Sequence, residues 1–250
     1  MKNFKLILQY DGTRYLGWQR PEKDGYHKTV SFRIASVLRR MTGEDITLHA
    51  GASTEPGVHA LAQTVSFRTA SGLPADEIFH GLNRYLPLDI AVRSCEEMPE
   101  RFQADLGTVS RTYEYRVCTE PVYDIFSARY TDFIFPGPDV TLMERAAGYL
   151  TGTHDFRNFS GSRKKKGTVK TILDIRFSRT DALIITMTAD GFLNRMPSLL
   201  IGALLETGLK KRPPESIINI LEGKEKAEAL CNPKGLLLRS IQYHTINIGK

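Results

Sequence analysis

The 250 residues hold only three cysteines, Cys95, Cys118 and Cys231, widely spaced and without a CxxC pair. That excludes a disulfide framework and a zinc ribbon, and it suits a reducing, cytoplasmic setting. The six histidines show no HxxxH-type ligand spacing, so no metal site is expected. No apolar run approaches the roughly 18 residues a membrane span needs, and the apolar stretch near the start is too short for a signal peptide. Neither export nor a membrane location is expected. No repeat of roughly 20–50 residues is visible either. Charge of one sign is scarce: 34 Lys and Arg against 28 Asp and Glu leave +6, a mild bias toward acidic partners such as RNA. With 41% hydrophobic residues and 20 glycines, the composition is globular, ample for one large or two small domains.

Periodicity supplies the elements. Residues 4–9 alternate as a strand, and Tyr10-Asp11-Gly12-Thr13 reads as a turn toward Tyr15-Leu16-Gly17-Trp18-Gln19. From Thr29, Val30, Ile34, Val37, Leu38 and Met41 make one stripe of a helix that Gly43 stops. A strand at 63–67, a helix after Pro74 and a strand at 90–92 complete a β-α-β-α-β series, and Tyr113, Tyr115 and Val117 alternate in a further strand. After the break at Pro136-Gly137-Pro138 a second series follows. It comprises a helix about 142–150, strands around 168–177 and 183–187, helices about 194–209 and 214–221, and a strand at 236–243. The pattern predicts an α+β protein of two lobes, residues 1–107 and 108–250, with a cleft between them as the default binding site.

Seven segments occur in an order and spacing that resemble the tRNA pseudouridine synthase A family. They are Tyr10–Thr13 with Gly17-Trp18-Gln19, Gly57-Val58-His59-Ala60, Leu86-Pro87-Leu88-Asp89-Ile90, Arg111-Thr112-Tyr113-Glu114-Tyr115, Gly152-Thr153-His154-Asp155-Phe156, Phe192-Leu193-Asn194-Arg195-Met196 and Gly235-Leu236-Leu237-Leu238. The resemblance covers nearly the whole chain. It implies two ferredoxin-like halves sharing a mostly antiparallel sheet, a basic central cleft, a homodimer, no cofactor, and conversion of uridine to pseudouridine in the anticodon arm of tRNA.

The same resemblance sets the catalytic position. Where the family reads Gly-Arg-Thr-Asp-Ala-Gly-Val-His-Ala with a catalytic Asp, this chain reads Ala52-Ser53-Thr54-Glu55-Pro56-Gly57-Val58-His59-Ala60. Glu55 takes the carboxylate position, one methylene longer, and Ser53 takes that of an arginine. A carboxylate is called for because uracil must leave C1′, rotate and reattach through C5, so something must trap or stabilise the detached fragments. Displacement by about 1 Å can cost about 10²-fold where alignment carries the rate. Pro56 removes an amide donor and biases Glu55 toward extended angles. Asp105, after Phe102-Gln103-Ala104, and Ser198, after Met196-Pro197, stand at two further family arginines. Pro197 is compatible with a helix if it lies in the first turn.

Tyr113 matches the aromatic residue on which the family stacks the flipped base; the alternative is a cross-strand core tyrosine, as for Tyr115. Arg111 is a candidate backbone contact. Arg163, Lys164, Lys165 and Lys166, followed by Lys170, form the densest basic run, suited to RNA phosphates or to a solvated loop. Asp11, His59 and His154 read as structural turn, packing or hydrogen-bonding residues. Three readings stay open: an active synthase using Glu55, a paralogue that binds tRNA without modifying it, and a scaffold reassigned to another ligand.

Overall fold

The computed structural model describes residues 1–162 and 166–244. In chain order these form β1 (Lys2–Tyr10), α1 (Val30–Thr42), β2 (His49–Ala50), β3 (His59–Thr69), α2 (Ala75–Tyr85), β4 (Ile90–Met98), β5 (Thr108–Cys118), β6 (Asp132–Phe133), α3 (Val140–Leu150), β7 (Gly152–Asp155), β8 (Val169–Arg179), β9 (Leu183–Ala189), α4 (Met196–Gly208), α5 (Ser216–Leu221) and β10 (Leu236–Tyr243). The fold is α+β, and the chain divides into two compact units. One unit runs from Met1 to Val109 and takes in the described chain from Leu238 onward, and the other runs from Ser110 to Leu237. Local pattern does not reveal such a return, because it is a long-range pairing.

In the first unit β1 lies between β3 and β4, antiparallel to both, with Leu6 opposite Val65 on one side and Cys95 on the other; β10 flanks β3. The alternation of β1 puts Phe4, Leu6, Leu8 and Tyr10 in the core, where Phe4 stacks on Phe67 at 5.5 Å. Helix α1 starts where Thr29 accepts a bond from the Phe32 amide and ends at Gly43, φ 75°. Its stripe buries Val30, Ile34 and Leu38, while α2 buries Ile78 and Leu82.

In the second unit the strand order is β5, β9, β8, β7, with antiparallel neighbours, and β6 pairs parallel with β5. The Tyr115 hydroxyl donates to Asp132 at 2.7 Å, and burial pushes its titration far above the ordinary tyrosine range. Helix α4 is buried nearly all round; a Cβ on Gly202 would fall 1.9 Å from the Ala229 carbonyl oxygen. The helix begins at Met196, two residues after the start its periodicity suggests, because Arg195 takes left-handed angles, φ 59°. Pro197 sits in the first turn, where a missing amide costs no helical bond. Strand β7 lies within a motif segment and carries too short a pattern to read as a strand. Among the described residues no helix is long and apolar enough to cross a membrane.

Candidate active site

Glu55 lies in the segment joining β2 to β3, half-buried between exposed Ser53 and exposed Pro56 with buried Thr54 beside it. Ser53 is exposed and Glu55 half-buried, whereas the side chain of Thr54 is buried, its hydroxyl meeting that of Tyr10 at 2.8 Å. The Val58 amide donates to the Glu55 carbonyl at 3.2 Å, closing a turn with Pro56 and Gly57 at its centre. Gly57 has φ 79°. Proline first and glycine at positive φ second is the signature of a type II turn, which needs no amide at the proline. Pro56 is therefore accommodated rather than disruptive, and it stiffens the residue after the carboxylate.

A second segment clamps this turn from outside. Trp18 donates its amide to the Thr54 carbonyl at 3.0 Å, and Gly57 donates to the Tyr15 carbonyl at 3.2 Å. The segments approach so closely that a Cβ on Gly12 would lie 2.1 Å from the Val58 oxygen, and one on Gly17 would lie 2.5 Å from the Thr54 oxygen. Gly12 also donates to His59 Nδ1 at 3.0 Å. Asp11 Oδ1 lies 3.2 Å from the same nitrogen, but a nitrogen accepting from Gly12 cannot also donate, and Asp11 is engaged instead by the amide and hydroxyl of Thr13. Asp11 and His59 are thus each tied to the turn at residues 11–13. Tyr15 donates its hydroxyl to Asp89 at 2.6 Å; burial first, then that carboxylate, hold the phenol above its ordinary range and keep it a neutral donor. Asp105 lies 3.7 Å from His49 Nδ1 and accepts from Gln103 at 2.8 Å.

The remaining candidates are in the second unit. Arg111 and Tyr113 are on β5, opposite Ala189 and Met187 of β9. Arg111 donates to the Asp190 carbonyl at 3.2 Å. The ideal Cβ position of Gly191 is 3.3 Å from Arg111 Nη1 and 3.6 Å from Lys170 Nζ, so a residue without a side chain separates the two cations. Phe192, next in sequence, meets the Tyr113 ring edge-on at 5.1 Å. Tyr113 itself is 4% exposed. The loop at Gly191-Phe192 thus lies against Arg111, Lys170 and Tyr113. Ser198 is 1% exposed in α4, its carbonyl accepting from Cys231. Among the described residues no group of three His, Cys, Asp or Glu side chains is placed to hold a metal.

Lys166 is exposed; Arg163, Lys164 and Lys165 lie outside the described residues. The segment carrying them is closed at its base, where Phe156 donates to the Thr168 carbonyl at 3.0 Å and Asp155 pairs with Val169 across β7 and β8. His154 bonds the Thr151 carbonyl and packs on Phe156. Arg157 hydrogen-bonds the Asp155 carboxylate and, against an opposing burial effect and with help from Thr168, holds its carboxyl below the usual 3.8. A depressed folded value means this stabilisation is present above about pH 4 and is lost as pH falls through the folded value. Thermal unfolding across about pH 7 to 2 should therefore show Asp155→Asn less stable than the native protein at neutral pH, with the two curves converging in acid. Parallel curves would refute the assignment.

Comparison with known proteins bears on the family of the chain. A family model described as tRNA pseudouridine synthase matches residues 146–244. Over 247 residues the chain is 36% identical to tRNA pseudouridine synthase A 2 of Clostridium tetani, covering 97% of this chain and 99% of that protein. It is 36% identical to tRNA pseudouridine synthase A 1 of the same organism, and 35% identical to tRNA pseudouridine synthase A of a Bacillus species over 246 residues, each covering 97% of this chain and all of the relative. The chain belongs to the tRNA pseudouridine synthase A family.

Proposed function

We propose that the protein isomerises uridine to pseudouridine in the anticodon arm of tRNA, with Glu55 as its working carboxylate. The observation that carries this reading is the clamped turn of residues 54–58, which supports the carboxylate on a backbone bonded to the 15–18 segment. In the reaction the N1–C1′ bond breaks, the uracil turns, C5 bonds to C1′, and the proton lost from C5 is balanced by one gained at N1. Glu55 stabilises or traps the fragments while they are apart. Arg111, Lys166 and Lys170, with Arg163, Lys164 and Lys165, hold the RNA backbone.

Tyr113 is the platform for the flipped base, backed by Phe192. At 4% exposure its role requires neighbouring side chains to yield part of its face. Tyr113→Leu, which keeps an apolar side chain but removes the π-face, should lower kcat/KM for tRNA by about tenfold to a hundredfold, while Tyr113→Phe keeps most of it. Equal loss in both variants would reassign the residue to the core. The homodimer has a physical basis in the exposed apolar side chains of Val122, Ile125 and Phe126, 82, 71 and 87% accessible. The free thiols Cys95, Cys118 and Cys231 suit the cytoplasm.

Binding without turnover is the second reading. It is favoured by Ser198, buried where the family resemblance calls for an arginine, and by Asp105, which faces His49. Incubation with unmodified tRNA transcripts and quantitation of pseudouridine in the digested nucleosides decides between the two. Product in the anticodon arm supports the first reading; tight binding with no product supports the second.

A further inference from the structure

The helical side of the first unit carries an open groove of about 730 Å³. It is lined by Arg14, Tyr15, Lys28, Arg33, Arg40 and Tyr85 among others. None of its four cations belongs to the motifs or to the basic run at 163–170. Arg33 and Arg40 are seven residues apart on α1, two turns along one face. The side chain of Arg40 is ordered by the Tyr85 ring, 5.6 Å from its guanidinium, and Arg84 approaches the same ring at 5.5 Å.

Carboxylates are scarce there. Asp89, at the edge, accepts two bonds from Arg14 and one from Tyr15. Glu77 lines a neighbouring depression with Arg40 and Tyr85 but makes no ion pair within 4.0 Å. Among the described residues no acidic side chain lies within ion-pair distance of Lys28, Arg33 or Arg40. Elsewhere in this unit Lys2, Lys5, Arg39 and Arg68 each have an acidic partner. Arg14 is thus paired with Asp89, while Lys28, Arg33 and Arg40 converge on a concave surface without an acidic partner; such a surface is an anion site by its field, and forked guanidinium groups are suited to phosphate oxygens.

We propose that this groove is a second RNA-backbone site, holding phosphates of the tRNA body away from the nucleotide being modified. The inference rests on the reading of tRNA as substrate. Tyr15 joins the groove to the candidate site: it lines the groove, and its carbonyl accepts the bond from Gly57, two residues after Glu55. RNA seated in the groove is thereby registered against the segment that holds the carboxylate turn.

The test measures binding of a full-length tRNA transcript to the whole chain across a salt series, in parallel with the nucleoside assay on the native protein. Arg33→Ala with Arg40→Ala should weaken binding at least tenfold near 0.1 M salt and reduce the slope of log affinity against log salt by about 2. Arg33→Glu with Arg40→Glu should weaken it further, and the double lysine variant should keep most of the slope. Both arginines are exposed, so unchanged thermal unfolding is expected and checks the fold. Native affinity and slope in the alanine and glutamate variants overturn the proposal. If the native protein forms no pseudouridine but the slope falls as stated, the catalytic reading fails and the groove stands. If the native protein does not bind tRNA, both fail.

Discussion

Glu55→Ala lowers pseudouridine formation by about 10³-fold or more and leaves tRNA affinity within about twofold of the native value, the expected result for a group that acts on the reacting atoms rather than on the RNA backbone. The turn around it gives a firm basis for this expectation. Bonds to the Glu55 and Thr54 carbonyls and from the Gly57 amide hold the backbone through main-chain groups, and these remain in Glu55→Ala. Glu55→Asp withdraws the head group by about one C–C bond from a backbone that is not free to follow, and should cost about 10²-fold. The readout is pseudouridine in nuclease digests together with filter-binding affinity. Product formation unchanged in Glu55→Ala would remove this carboxylate from the chemistry. A faster Glu55→Asp variant would show that the site keeps a geometry suited to the shorter acid.

Trp18→Ala should lower stability by about 3–5 kcal/mol, the range for deleting a large buried aromatic side chain. The indole is 1% exposed, its ring centroid 6.5 Å from that of Tyr10, and the residue's amide holds Thr54. The cavity would open beside Tyr10, whose hydroxyl bonds the side chain of Thr54 next to Glu55, so turnover should fall along with stability. Urea unfolding measures the first effect. Trp18→Phe should recover about half of it, because the ring is replaced in part and the backbone bond is untouched. A loss below about 1 kcal/mol for Trp18→Ala would mean the neighbouring side chains collapse into the space, and that the turn does not depend on this packing.

Much of the local architecture is legible in the sequence because single residues decide it. Thr29 and Gly43 bound α1, and Pro197 falls where a helix tolerates it. The position of Glu55 is legible from Gly57-Val58-His59, and the turn that makes Pro56 harmless follows from the Pro-Gly pair itself. Features built from distant residues are not legible. The return of the chain from Leu238 to the first unit is one. The basic groove is another: Arg14, Lys28, Arg33, Arg40 and Tyr85 are scattered over the loop after β1 and two helices, and no run or period marks them. The dense run at 163–166 draws attention by its composition, whereas the groove depends on the pairing of α1 with α2. Burial of Ser198 is likewise invisible to spacing, since it arises from the packing of α4.

The close approach at Gly12 and Gly17 determines how this motif can drift. Any side chain at either position meets the opposing backbone, Val58 in one case and Thr54 in the other, and Gly57 must keep its positive φ. Those three glycines are the fixed framework, and each matches the family pattern. Ser53, Glu55 and Pro56 lie on the outward side or at the turn position that accepts proline, where a substitution meets no backbone clamp. Within this loop they are the positions at which the resemblance to the family implies a different residue. The loop can therefore change its side chains while its path stays unaltered, because the address of the acid is set by the backbone and not by which acid stands there.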